Sequence, residues 1–87
     1  MVLKVKKRNG RIVDYPITKV KNLLKTIGFT GFLLGKATVN VFREAKKLTK
    51  SGIISVTDFE KAIVRGVSNT NKIAINTTQK VTRRILK

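Results

Sequence analysis

The chain contains no cysteine and no histidine. Without cysteine there is no disulfide framework, no thiolate nucleophile and no cysteine-ligated zinc. Without histidine the usual metal ligand is missing, and so is the usual general base near neutral pH. Carboxylates are almost as scarce: Asp14, Glu44, Asp58 and Glu60 are the only four. This inventory predicts a protein that is not an enzyme and needs no metal to fold. Long hydrophobic runs are missing too. The longest apolar cluster, 29–35, is interrupted and too short to span a bilayer. Lys4 to Arg8 are basic, but no apolar stretch of signal-peptide length follows them. A cytoplasmic protein with no membrane partner is expected.

What the chain has in excess is positive charge. Its 87 residues include 20 Lys plus Arg, giving a net charge of +16 and a pI near 11.2. That length allows one small domain, 1–87, with a modest core. A folded chain of this mass exposes roughly 5,000 Å², or about one net positive charge per 300 Å². At a Debye length of about 8 Å such charges are only partly screened. The surface repels itself and attracts polyanions. A hydrophobic content of 41% is enough for a globular core, so the charge sits on a fold rather than on a disordered tail.

Leu3 and Val5 alternate with Lys4 and Lys6, the period of a strand. Asn9-Gly10 then predicts a two-residue hairpin turn with both residues at positive φ. Ile12, Val13 and Tyr15 form the returning strand, so the hairpin covers about 2–15. A two-residue loop pairs Arg8 with Arg11, Lys6 with Val13 and Lys4 with Tyr15. Lys4, Lys6, Arg8 and Arg11 would then stack on one face, an arrangement that asks for an anion. Four helices are predicted at about 16–27, 32–50, 57–67 and 71–86. Pro16 suits the first turn of the first, and Ile17, Val20, Leu23, Leu24 and Ile27 give its stripe. Gly28 ends it. Leu34, Ala37, Val41, Ala45 and Leu48 give the second stripe, ended by Ser51-Gly52. Thr57 and Glu60 form a capping box for the third, with Phe59, Ala62, Ile63 and Val67 inward. The polar stretch 68–71 separates it from the fourth, where Ala74, Thr78, Val81 and Ile85 share a side. The expected fold is α+β: a two-stranded antiparallel hairpin packed on four helices.

The charges gather on faces. In the fourth helix Lys80, Arg83, Arg84 and Lys87 sit at i, i+3, i+4 and i+7, with Asn76 and Gln79 beside them. The second repeats the pattern with Lys36, Asn40, Arg43, Lys47 and Lys50. These side-chain types reach phosphates and base edges. The bland alternative is two solvated faces with basic ends that suit the helix dipoles. A solvated face normally mixes signs. Here the second helix has only Glu44 and the fourth has no acid. Nucleic acid, DNA or RNA, is the expected partner.

Two catalytic motifs fail on inspection. Gly31 to Thr38 resembles a P-loop, but only three residues separate the glycines, Ala37 follows Lys36, and a helix precedes it. Ser51, Ser55 and Ser68 lie near lysines, yet in so basic a chain proximity carries little information. Phe29, Phe32, Leu33 and Leu34 are expected as core contacts beneath an interhelical loop. A partner or dimer patch is the alternative, which leaves a homo-oligomer open.

The order hairpin, helix, long helix, capped helix, helix resembles the ATP-cone family, over about residues 3–86. Its sharpest part is Val5-Lys6-Lys7-Arg8-Asn9-Gly10, similar to the family's V-x-K-R-[DN]-G, with Tyr15 and Lys19 following. Gly52-Ile53-Ile54 and Asp58-Phe59 resemble the family's approach to its third helix. The resemblance implies ATP or dATP as a regulatory ligand between hairpin and helices. By it Val5 would touch the base, and Lys7, Arg8 and Lys19 would hold phosphates. Arg83 or Arg84 would add a further phosphate contact. Val13, Pro16 and Val56 stand where the family often has polar residues. Glu60 puts a carboxylate where a nucleotide-contacting side chain is expected. One nucleotide needs about four or five cations, which leaves most of the twenty unexplained.

The leading expectation is therefore a nucleic-acid-binding protein on an ATP-cone-like fold. Its contacts would be Lys4, Lys6, Arg8, Arg11, Lys36, Arg43, Lys47, Lys50, Asn76, Gln79, Lys80, Arg83, Arg84 and Lys87. A nucleotide-sensing module that acts in trans on an enzyme such as a ribonucleotide reductase is the alternative. A small structural component of a ribonucleoprotein or a packaged genome is a third.

Overall fold

The computed structural model describes residues 2–70, 80 and 82–84. The architecture is α+β, with a three-stranded mixed sheet where a two-stranded hairpin is expected. The elements run β1 (Val2–Lys6), β2 (Ile12–Pro16), α1 (Ile17–Ile27), α2 (Gly31–Leu48), β3 (Ile53–Ser55) and α3 (Val56–Thr70). Residues 80 and 82–84 are helical, and the rest of the predicted fourth helix lies outside the described residues.

The hairpin register is shifted by one residue from the expected one. Leu3 pairs with Tyr15, Lys4 with Asp14, and Val5 with Val13. Asn9 does not take positive φ; only Gly10 does, at 86°. The Gly10 N–H donates to the Lys7 carbonyl at 2.9 Å, and the Lys7 N–H to the Arg11 carbonyl at 2.8 Å. This is a three-residue loop: a turn through Arg8 and Asn9 followed by a left-handed glycine. The Asn9 side chain accepts the Arg11 N–H at 2.9 Å, which holds it there. The core explains the choice. In this register Leu3, Val5, Val13 and Tyr15 share the inward face, whereas the two-residue loop would have put Asp14 there.

The expected four-cation stack is undone by the same shift. Lys4 and Lys6 keep the outer face, with Ile12 and Asp14 opposite them. Arg11 moves to the inward-facing side beside Lys7, and Arg8 sits in the turn.

β3 pairs parallel with β1, giving the order β2-β1-β3. It is launched by a tight turn in which Lys50 and Ile53 exchange both backbone hydrogen bonds, at 2.9 and 3.0 Å. Ser51 and Gly52 both take positive φ, 53° and 79°, as a type I′ turn requires. The third helix begins one residue before the expected cap. The Ser55 hydroxyl accepts the Asp58 N–H at 3.1 Å, so Ser55 and not Thr57 is the cap. α3 then runs through 68–70 without a break.

One core joins sheet and helices: Val5 and Ile54 from the sheet, Val20 and Leu24 from α1, Val41 and Ala45 from α2, Phe59 and Ile63 from α3. α1 ends where expected, with the Gly28 and Phe29 N–H groups donating back to the carbonyls of Lys25 and Leu24. α2 and α3 form the closest interface. A Cβ on Gly66 would meet the Val41 backbone nitrogen at 2.6 Å. Phe29 enters the core as expected, but Phe32 (83% exposed) and Leu33 do not, because Gly31 already starts α2 and turns both outward. Ile17 is likewise on the surface rather than in the α1 stripe's core.

Candidate nucleic-acid interface

α2 carries four exposed cations on its outer side. Its inner side is set by Ala37, Thr38, Val41, Phe42 and Ala45. That leaves Lys36, Arg43, Lys46 and Lys47 exposed. Lys50 is exposed just beyond the helix, in the turn before β3. Asn40 belongs to the same stripe but is occupied: its amide donates to the Thr70 hydroxyl at 2.8 Å. Lys46 was not singled out by the sequence pattern and stands on the flank of this face.

The four carboxylates neutralise little. Lys4 meets Asp14 at 3.9 Å, Arg8 meets Glu60 at 3.6 Å, and Lys47 meets Glu44 at 3.6 Å. These are the ion pairs among the described residues. Glu44 also accepts the Asn69 amide at 3.3 Å, so part of its acceptor capacity points to α3. Asp58 lies in the first turn of α3, where the helix dipole favours it.

A groove of about 830 Å³ runs between α2 and the start of the sheet. Val2, Leu3, Ile17, Val39 and Phe42 give it apolar walls. Lys4, Arg43 and Lys46 stand along it. The groove depends on which residues of β1 and α2 face each other across the fold, and no local motif announces it.

Residues assigned to a nucleotide are only partly brought together. Arg8 at the hairpin tip reaches Glu60 on α3, whose carboxylate is 18% exposed. Glu60 in turn lines a cavity of about 300 Å³ together with Lys61, Arg65 and Arg83. Thr82 lines it as well; it is buried, and its hydroxyl has no hydrogen-bond partner among the described residues. Lys19 lies elsewhere on the sheet side. Its ammonium is 5.6 Å above the Tyr15 ring and donates to the Asp14 carbonyl at 3.5 Å. Tyr15 packs edge-on against Phe59, with centroids 5.1 Å apart, and burial pushes its phenol pKa up. Val5 is 0% exposed, so none of its surface is open to a base. It sits on the inward face of the central strand, flanked on both sides by β2 and β3.

No family model, curated protein or solved structure matches this chain. Lys80, Arg83 and Arg84 are exposed on the helical residues 80 and 82–84, while Thr82 turns inward. Asn76, Gln79 and Lys87 lie outside the described residues. Lys6 and Arg11 are exposed at the hairpin, and Lys7 is half-buried. Among the described residues no helix is long and apolar enough to cross a membrane.

Proposed function

We propose that this protein is a non-enzymatic nucleic-acid-binding module that holds phosphates on the outer face of α2. The observation that carries the reading is one helix with Lys36, Arg43, Lys46 and Lys47 exposed and a single carboxylate, Glu44, shared with α3. A face built only for solvation would alternate signs at i and i+4. Here the unbalanced charge has no counterpart on the molecule. Phosphates supply one, and the counterions they release drive binding. Lys6 and Arg11 at the hairpin and Lys80, Arg83 and Arg84 are further exposed cations open to phosphates.

Titration with nucleic acid at several salt concentrations tests this. Neutralising about six phosphates gives a log–log slope near −5 on a duplex and near −4 on a single strand. Reversing charge at Arg43 and Lys47 together should lower affinity at least ten-fold and flatten the slope by about two. A salt-independent affinity would remove the reading.

The cavity beside Glu60 supports a second reading, an adenine-nucleotide sensor as the ATP-cone resemblance implies. Lys61, Arg65 and Arg83 around one cavity suit a phosphate chain. Glu60 opposes it. Removing one negative charge about 5 Å from a phosphate is worth on the order of 1 kcal/mol under the full screening of water. Glu60→Gln should therefore tighten ATP or dATP about five-fold, read as a larger ligand-induced rise in melting temperature. No rise with either nucleotide, in wild type or variant, would exclude the sensor.

A further inference from the structure

We propose that the groove between β1 and α2 receives unstacked bases, and that the nucleic acid this protein prefers is single-stranded. The inference rests on the nucleic-acid reading above and narrows it from polyanions in general to one class.

The groove has the wrong lining for a phosphate backbone alone. Val2 and Val39 are each 56% exposed along it, and Ile17 is 37% exposed. Leu3 and Phe42 lie deeper. A duplex keeps the faces of its bases stacked inside and offers only phosphates, sugars and base edges. Apolar walls gain little from those groups beyond contact with thymine methyls and sugars. A single strand offers flat, apolar base faces and a phosphate with every nucleotide. Cations beside an apolar groove match that alternation, and Arg43 and Lys46 flank this one from α2 while Lys4 flanks it from β1.

The exposed ridge of α2 repeats the same alternation. Phe32, Lys36, Val39, Arg43 and Lys46 follow at i, i+4, i+7, i+11 and i+14, so they lie along one stripe. At 1.5 Å per residue the stripe is about 21 Å long. Phe32 is the most exposed large apolar side chain among the described residues, at 83%. It contributes nothing to the core and stands one turn before Lys36. An aromatic ring among cations is a stacking platform for a base.

An acidic amphipathic peptide would also match apolar walls and positive charge. It presents a continuous apolar stripe with its charges on the opposite face. The α2 ridge interleaves the two kinds of group instead, which favours the strand.

The test measures binding of the whole chain to three labelled probes of equal length: oligothymidylate, a DNA duplex, and an abasic single strand that keeps the phosphates. An unlabelled acidic amphipathic peptide serves as competitor. Oligothymidylate should bind at least ten-fold more tightly than the abasic strand and more tightly than the duplex, since base–aromatic stacking is sequence-tolerant. Phe32→Ala should lower oligothymidylate affinity several-fold while the protein keeps its melting transition. Equal binding of the abasic strand, or a preference for the duplex, overturns the inference and leaves the electrostatic reading in place. Displacement by the peptide with no loss on the abasic strand assigns the groove to a protein and likewise overturns it. Salt-independent or absent binding of all three probes removes the nucleic-acid reading itself.

Discussion

Two turn dipeptides exchange roles between sequence and structure. Asn9-Gly10 has the preferred composition for a two-residue type I′ loop, yet it sits in a three-residue loop. Ser51-Gly52 looks like a helix stop, yet it makes the type I′ turn and launches β3. Serine at positive φ is strained, because its Cβ crowds the backbone there. Asparagine tolerates that conformation better. Ser51→Asn should therefore stabilise the fold by about 0.5 kcal/mol, or roughly 2–4 °C in melting temperature. An unchanged or lower melting temperature would show that Ser51 is not under strain. At the same scale Glu60 joins two assignments. It ties down Arg8 at the hairpin tip and faces the cations of the α3 cavity. Its spacing from Thr57 suggested a cap, but Ser55 fills that role and leaves Glu60 free for the ion pair.

At the level of elements, the interface between α2 and α3 holds the most demanding contact. Gly66 lets the two helices approach until its hydrogen lies against Val41. The backbone nitrogen and Cα of Val41 cannot yield as a flexible side chain would. Gly66→Ala must push the helices apart, although alanine is the better helix former. The expected loss is about 1–3 kcal/mol, on the order of 10 °C for a domain of this size. A neutral or stabilising result would mean that the helix propensity gain outweighs the steric clash. α2 also has two jobs. Its inner side meets α3 and the sheet, and its outer ridge carries the proposed interface. Loosening the first would move the second, so Gly66→Ala should also weaken nucleic-acid binding.

The whole molecule is held together against its own charge. Two of the three ion pairs involve cations at least 65% exposed, and in the third both partners are more than 60% exposed. Exposed pairs of this kind contribute about 0–1 kcal/mol each. The apolar core supplies the cohesion, and a net charge of +16 works against it. Screening should relieve that repulsion. The melting temperature should rise by several degrees as sodium chloride increases from low to physiological strength, and further on adding a polyphosphate at equal ionic strength. A flat or falling melting temperature over this range would show that the charges are too far apart in the fold to repel.

Local periodicity was enough to place α1, α2 and α3 to within a few residues and to identify their buried stripes, since apolar spacing along a helix needs no partner to be read. Composition supplies the expectation of a polyanionic partner, which stays a proposal. Other features came only from contacts between distant segments. The hairpin register followed the shared inward face of Leu3, Val5, Val13 and Tyr15 rather than the turn dipeptide. β3 has three residues, too few for a period, and exists because β1 offers it a free edge. Phe32 reads as core from its apolar cluster, but the start of α2 at Gly31 turns it to solvent. The groove arises where β1 and α2 face each other, and its lining residues on the two segments are more than thirty positions apart. Charge is a sum over residues and is fixed by the sequence. The distribution of that charge around an apolar groove is a matter of packing, and packing is decided between elements rather than within them.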